Sequence, residues 1–459
     1  MTPPQTPTRR PGKGWWAGRS AWSLVVGFGL VSLTADMVYE GARAITGPLL
    51  ASLGATAAVV GLVSGLGEAV SLLLRLVSGT WADRSGRYWR WTIAGYAVTA
   101  ISVPALAITP FLGAAGLVVG CLLIIAERFG KAVRSPAKSV LLAQASGEVG
   151  LGRGFGVHKA LDQLGAFAGP LLVAAVISLT GALWSGLAVL AIPGAASIAI
   201  LLVLRRASSV TTASASNSQD SATQDSATQD SAIPSDGPIP SDSPIPSDSP
   251  IPSGTPTPGD TLTASSRPRH RLPGEFWTFA AAAGATTAGL VTFAVIGYHL
   301  VDDQVTSAAL VPVVYAVAMA AAGIAALVTG FLFDRIHARV LLVLPLLVAA
   351  VPVFAFADAL PLVMVGVVAW GAAGGLQDST VKALVAVLVP APRRGTAYGV
   401  FAAVQGGAAV LGGVIAGALY DRSIPALIAY VAATQLIALV LLVRAARSAR
   451  SCRSRSGYR

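Results

Sequence analysis

Long apolar stretches separated by short polar breaks dominate the chain. Approximate limits for twelve of them are 21–47, 57–80, 90–110, 113–136, 154–179, 183–204, 274–299, 307–333, 339–357, 361–383, 396–419 and 424–444. A helix needs about 20 apolar residues to cross the roughly 30 Å hydrocarbon layer of a bilayer. A membrane-spanning barrel strand would instead alternate apolar and polar positions. The run from Leu117 to Ala126 does not alternate, and neither do its counterparts. Helices satisfy their own backbone groups in lipid, so the pattern predicts an all-α integral membrane fold. The stretches divide six and six about a polar segment. The domain plan is therefore a tail (1–20), a first six-helix bundle (21–206), a linker (207–272), a second six-helix bundle (273–445) and a basic tail (446–459).

Composition narrows the function classes. Hydrophobic residues make up 54% and charged residues 12%, half the share of about 25% typical of soluble domains. A large soluble enzyme is excluded. The net charge of +11 is not gathered into one patch, which argues against nucleic acid as a partner. Instead Arg and Lys lie before the first stretch, after the second, and around alternate breaks thereafter, with Arg422 the exception. That distribution predicts both termini and the linker on the cytoplasmic side of a multi-pass protein, and the plasma membrane is its expected location. Cys121 and Cys452 form no metal motif, and no disulfide between them is expected from their positions, one in a span and one in the tail. No phosphate-binding glycine loop, nucleophile–His–acid set or metal cluster is present in the sequence. No cofactor, no metal and no enzymatic activity are expected.

The linker repeats Gln-Asp-Ser-Ala-Thr and Ile-Pro-Ser-Asp, with no Lys or Arg from 207 to 266. Such a composition cannot bury enough surface to offset its ordering entropy, and disorder is expected there.

The two halves also repeat in detail. Arg153-Gly-Phe-Gly156-Val157 matches Gly395-Thr-Ala-Tyr-Gly399-Val400, which sets Asp162 against Gln405. Gly130 through Lys138 matches Gly374 through Lys382. Such repeats permit alternating access around a site near the bilayer midplane.

Ionisable residues inside apolar stretches cost several kcal/mol unless paired or wet, and so mark functional positions. Asp36, Glu40 and Arg43 are spaced to share one helix face, as are Glu68 and Arg75. Asp162 follows His158 by four residues. These carboxylates and arginines are the candidates for proton coupling, Asp36 first, although Glu40–Arg43 and Glu68–Arg75 equally suit permanent ion pairs. His158 and His299, near stretch ends, are expected to be solvated or interfacial.

Between the second and third stretches stands Gly79-Thr-Trp-Ala-Asp83-Arg84-Ser-Gly86-Arg87, and at the matching place of the second half Gly330, Asp334 and Arg335. With twelve stretches in two halves, this resembles the major facilitator superfamily and its signature loop. Tyr88 replaces a further basic residue, and His337 stands where the second glycine of the later copy is expected. The resemblance implies that Asp83 helps hold the halves together when the cytoplasmic side is closed. Gly156, Gly165, Gly169 and Pro170 are similar to the fifth-span motif of drug:proton antiporters, with Val173 and Ala174 in place of its closing glycines. Arg128 loosely resembles the buried arginine of another antiporter motif. By the same likeness, spans one, four, seven and ten line the cavity, offering Trp277, Phe293, Gln377, Asp378 and Lys382.

The expected function is secondary active transport, specifically proton-coupled efflux of small organic compounds. Its partners are protons, a small-molecule substrate and the lipid bilayer, and its expected state is monomeric. Proton-coupled import of a metabolite or organic anion is the alternative within transport. A transporter-like sensor is the alternative outside it.

Overall fold

A computed structural model describes residues 15–146, 149–208, 272–389 and 394–455 of the chain; the linker expected at 207–272 lies outside them except at its edges. Among the described residues the structure is helical, with no strand. The first half comprises α1 (Trp15–Ser52), α2 (Ala57–Ser85), α3 (Tyr88–Phe111, its last turn a 3-10 helix), α4 (Gly116–Ser146), α5 (Leu151–Thr180) and α6 (Leu183–Ser208). The second comprises α7 (Gly274–Asp302), α8 (Val311–Ile336), α9 (Arg339–Ala355), α10 (Leu360–Leu388), α11 (Arg394–Tyr420) and α12 (Ile424–Arg455). Eleven are long and apolar enough to cross a membrane, and α9 is the shorter twelfth. The helices on both sides of the linker belong to one packed unit, distinct from Arg206–Arg271. Their hairpin connections define a near end, where α1 begins, and a far end, where α1 meets α2.

Within each half the same pairs pack. α1 lies along α5 as α7 lies along α11, and α4 contacts α2 and α3 as α10 contacts α8 and α9. Between the halves, α2 packs along α11, α5 against α8, and α1 against the outer part of α7.

Glycines set how closely these pairs approach. A side chain at Gly165 or Gly169 of α5 would collide with the α1 carbonyls of Leu33 and Met37. A side chain at Gly412 of α11 would meet Ala288 of α7 in the same way. In the second half, Gly371 and Gly375 bring α10 onto the α8 backbone at Ala318 and Ala322. Between the halves, Gly61 and Gly65 of α2 abut Gly413 and Ala409 of α11, and Gly417 abuts Ala57. Gly47 of α1 likewise meets Ala294 of α7. All these inter-half contacts lie toward the far end. Nearer the other end, Gly399 of α11 faces only a methyl group of Leu76.

Two helices depart from the expected continuous spans. α7 breaks after Gly289, where Leu290 and Thr292 adopt extended backbone and a second segment begins at Phe293. The freed carbonyls are taken up by side chains. Trp370 Nε1 donates to Val291 O at 2.8 Å and Tyr430 to Ala288 O at 3.1 Å, while Gln435 Nε2 adds a second donor, at 3.4 Å, to Thr286 O, which already accepts from Leu290 N. A broken helix persists at membrane depth under that condition. α6 carries a turn after Ala188, ahead of Pro193. Pro312 falls in the first turn of α8 rather than inside a span, so it produces no kink there.

Candidate functional site

Three carboxylates and three cations meet where α1, α2 and α4 face one another. Arg43 of α1 donates to Glu68 of α2 at 3.2 Å and lies 4.0 Å from Glu40. Arg128 of α4 is 3.6 Å from both Glu68 and its neighbour Glu127. Tyr39 forms the floor. The Lys131 ammonium sits 3.1 Å from its ring centroid and the Arg128 guanidinium 4.7 Å, while Arg43 donates to its hydroxyl at 3.4 Å. Cations over an aromatic face are attracted by its quadrupole. Gly67 of α2 makes room for Arg128, since a side chain there would strike its Cγ. Glu127 and Arg128 are buried, with 7% and 8% of their side chains exposed. Burial of such charges is tolerable because each has an opposite charge within reach.

Among the described residues, a hydrogen bond ties this cluster to the second half. The hydroxyl of Tyr315 on α8 donates to Glu40. Tyr315 is fully buried and packs edge-on against Phe293, which in turn lies against Trp370. A small pocket of ≈ 20 Å³ between α1, α3 and α4 opens beside Arg43, Glu127 and Arg128. It has room for about a water molecule, not for an organic substrate.

A second group lies nearer the near end. Ser32 Oγ donates to Asp162 at 2.7 Å, and Lys159 and Lys138 donate to Asp162 and Ser32 at 2.6 and 3.3 Å. The Asp36 carboxylate adjoins that of Asp162. In the second half, Gln405 and Gln377 both donate to Thr287, at 3.5 and 3.3 Å.

The structure thus brings Asp36 together with Asp162, and Glu40 with Arg43 and Glu68. The spacing of Glu68 and Arg75 suggested a partnership, but Glu68 bonds Arg43 and Arg128, while Arg75 donates to Ser71 at 3.1 Å. Arg128 holds the middle of the cluster. Phe293 is core rather than cavity lining, at 1% exposure, and Trp277 faces outward with half its surface exposed. Both histidines depart from expectation. His158 is buried, and His299 is fully enclosed, its Nδ1 lying 2.6 Å from Asp303 and 3.1 Å from Tyr420. Proximity to a helix end does not imply exposure when a neighbouring helix covers that end.

The signature loop stands at the near end. Gly86 takes the left-handed backbone (φ 61°) that closes α2, its N–H bonding to Ala82 O. Glycine suits that conformation because it has no Cβ. Asp83 accepts from the Tyr88 hydroxyl at 3.0 Å, and Arg84, Arg87 and Arg335 are exposed. Gly79 faces Pro136 of α4. Gly156 looks into open space, while Pro170 is buried beside Gly169. Gly330, Asp334, Asp378 and Lys382 lie on α8 and α10 outside the residues whose side chains are described. Sequence reasoning passed over Tyr39, Glu127 and Tyr315. The available signal was a polar tip within an apolar run, which must find a partner when buried.

Comparison with known proteins gives a consistent result. The chain is 47% identical over 421 residues to an uncharacterized protein of Mycobacterium tuberculosis, covering 91% of this chain and 92% of the relative. It is 28% identical over 145 residues to an uncharacterized MFS-type transporter of Methanocaldococcus jannaschii, covering 31% of this chain and 35% of the relative. Among solved structures it is similar to the nucleoside transporter NupG, with TM-score 0.62 and 13% identity over 93% of this chain and 99% of the other. It is also similar to a POT family transporter in complex with 5-aminolevulinic acid, with TM-score 0.63 and 13% identity over 96% and 98%. At such identities the structures establish a shared fold. The sequence profile of the Major Facilitator Superfamily matches residues 28–301 and 276–456. The chain is a multi-pass membrane transporter, not an enzyme, and it belongs to the Major Facilitator Superfamily.

Proposed function

We propose that this transporter is a proton-driven exporter of small organic compounds, acting as a monomer in the plasma membrane with its near end in the cytoplasm. The observation that carries the reading is the Tyr315–Glu40 hydrogen bond. It makes a half-buried carboxylate on the first half sense the position of the second. Protonating Glu40, or the Asp36–Asp162 pair, alters the charge balance of a cluster that both access states must accommodate. Proton occupancy and substrate access are then linked through two global states. Export is supported by the Gly156, Gly165, Gly169 and Pro170 pattern, whose last two glycines lie in the α1–α5 contact.

The test is a substrate screen in everted vesicles under an imposed pH gradient, repeated with Asp36→Asn. An exporter accumulates substrate in the vesicles while consuming the gradient, and the variant binds substrate yet loses uphill movement. Unchanged uphill movement would transfer the coupling role to Glu40, Glu68 or Asp162. A second reading, import of an organic anion with protons, is favoured by the gathering of Arg43, Arg128 and Lys131 about Tyr39. It predicts the opposite direction in the same vesicles.

A further inference from the structure

The first turn of α2 is completed by a residue from the other half. Its N-cap Thr56 accepts from Val59 N at 3.4 Å. The two preceding amides, Ala57 N and Ala58 N, donate to the carboxylate of Asp421 at 3.1 and 3.0 Å. Asp421 follows the last residue of α11, some 360 positions later in the chain. The first amides of a helix have no intrahelical acceptor, and the positive end of the helix dipole favours an anion there. Directly beneath, α2 and α11 meet backbone to backbone at Ala57–Gly417, Gly61–Gly413 and Gly65–Ala409. The acid therefore sits at the outer end of a seam that only small residues permit.

We propose that Asp421 is the latch of the far-end gate: its two hydrogen bonds hold α2 against α11 while the far end is closed, and both break when it opens. The proposal rests on the transporter reading. The glycine seam supplies shape, and the latch supplies a specific interaction that exists in one access state only. An interaction of that kind shifts the equilibrium between states by its full differential worth. Removing it therefore favours the far-open state without altering the central charge cluster.

The test places spin labels at Ser52→Cys and Ala426→Cys, exposed far-end positions on opposite halves, in a Cys121→Ser, Cys452→Ser background. Full-length protein in lipid nanodiscs is then measured by pulsed dipolar spectroscopy. Asp421→Ala raises the ratio of long to short distances about fivefold, the effect expected for losing a carboxylate helix cap. Asp421→Asn, which keeps one acceptor oxygen, gives a smaller rise in the same direction. Asp358→Asn, which removes another exposed far-end charge, leaves the distribution unchanged. Unaltered distances in Asp421→Ala would overturn the proposal, as would an equal rise in Asp358→Asn. If Asp421→Ala does not fold, Asp421→Asn decides alone. The distances are read without substrate. A failure to transport any compound would therefore count against the transporter reading and leave the latch result standing.

Discussion

α4 and α10 occupy corresponding places in the two halves yet carry opposite solutions. The match of Gly130 with Gly374 sets Glu127 against Gly371 and Lys131 against Gly375. On α10 the two glycines let the helix lie directly on the α8 backbone at Ala318 and Ala322. On α4 the same two positions hold charge, and beside them Arg128 reaches Glu68 of α2 at 3.6 Å. A parallel difference separates α1 from α7. Gly169 rests on Met37 as Gly412 rests on Ala288, so Asp36 corresponds to Thr287. The Asp36–Asp162 pair of the first half is therefore replaced by the neutral Thr287–Gln405 pair of the second. Among the described residues at these matched positions, the repeat preserved helix packing while ionisable side chains stand in the first half. Among the described residues, the second half contributes a hydroxyl, Tyr315, to the charged cluster.

The most severe way to break this comparison is to give the second half the residue of the first. Gly375→Lys drives a side chain into the α8 backbone, and overpacking of this kind costs about 3 kcal/mol or more. Thermal unfolding in detergent should show a large fall in midpoint or no folded protein; wild-type stability would mean that the α8–α10 contact does not require glycine. Next comes the reverse exchange. Asp36→Thr combined with Asp162→Gln copies the neutral pair of the second half. It should fold, bind substrate and lose gradient-driven accumulation at least about tenfold, a change of roughly 1.4 kcal/mol or more in coupling free energy. Full accumulation by this double variant would remove the pair from the coupling mechanism. The smallest effect on stability is expected from Tyr315→Phe, which deletes one hydrogen bond to a carboxylate, worth about 2 kcal/mol. Its unfolding midpoint should fall by only a few degrees, while uphill transport falls relative to exchange at equilibrium. A parallel loss of both activities would show that Tyr315 supports packing alone.

Helix existence and order could be read from the sequence because each apolar run matches the thickness of a bilayer, a constraint that depends on no neighbour. The break in α7 could not, because Gly289 sits in an apolar run and the side chains that stabilise the break come from Trp370, Tyr430 and Gln435 on other helices. The site divides the same way. Asp36, Glu40, Arg43 and Glu68 stood out as charges in apolar surroundings, so their importance was visible. Their partners were not. Helical spacing places Glu68 and Arg75 on one face, but the nearest guanidinium groups to Glu68 come from α1 and α4. Tyr315 escaped notice because hydropathy counts its ring and overlooks its hydroxyl. His299 was misjudged because its cover, Phe356 and Tyr420, comes from distant parts of the chain.

The interruption of α7 has a mechanical consequence. A continuous helix must rupture hydrogen bonds before it can bend, whereas this one was folded with the rupture already in place and its loose carbonyls splinted by neighbours. The outer segment, Phe293–Asp302, carries the backbone that meets Gly47 of α1. Its direction relative to the inner segment is set at Leu290–Thr292 by side chains of other helices, not by the hydrogen-bond ladder of a single helix.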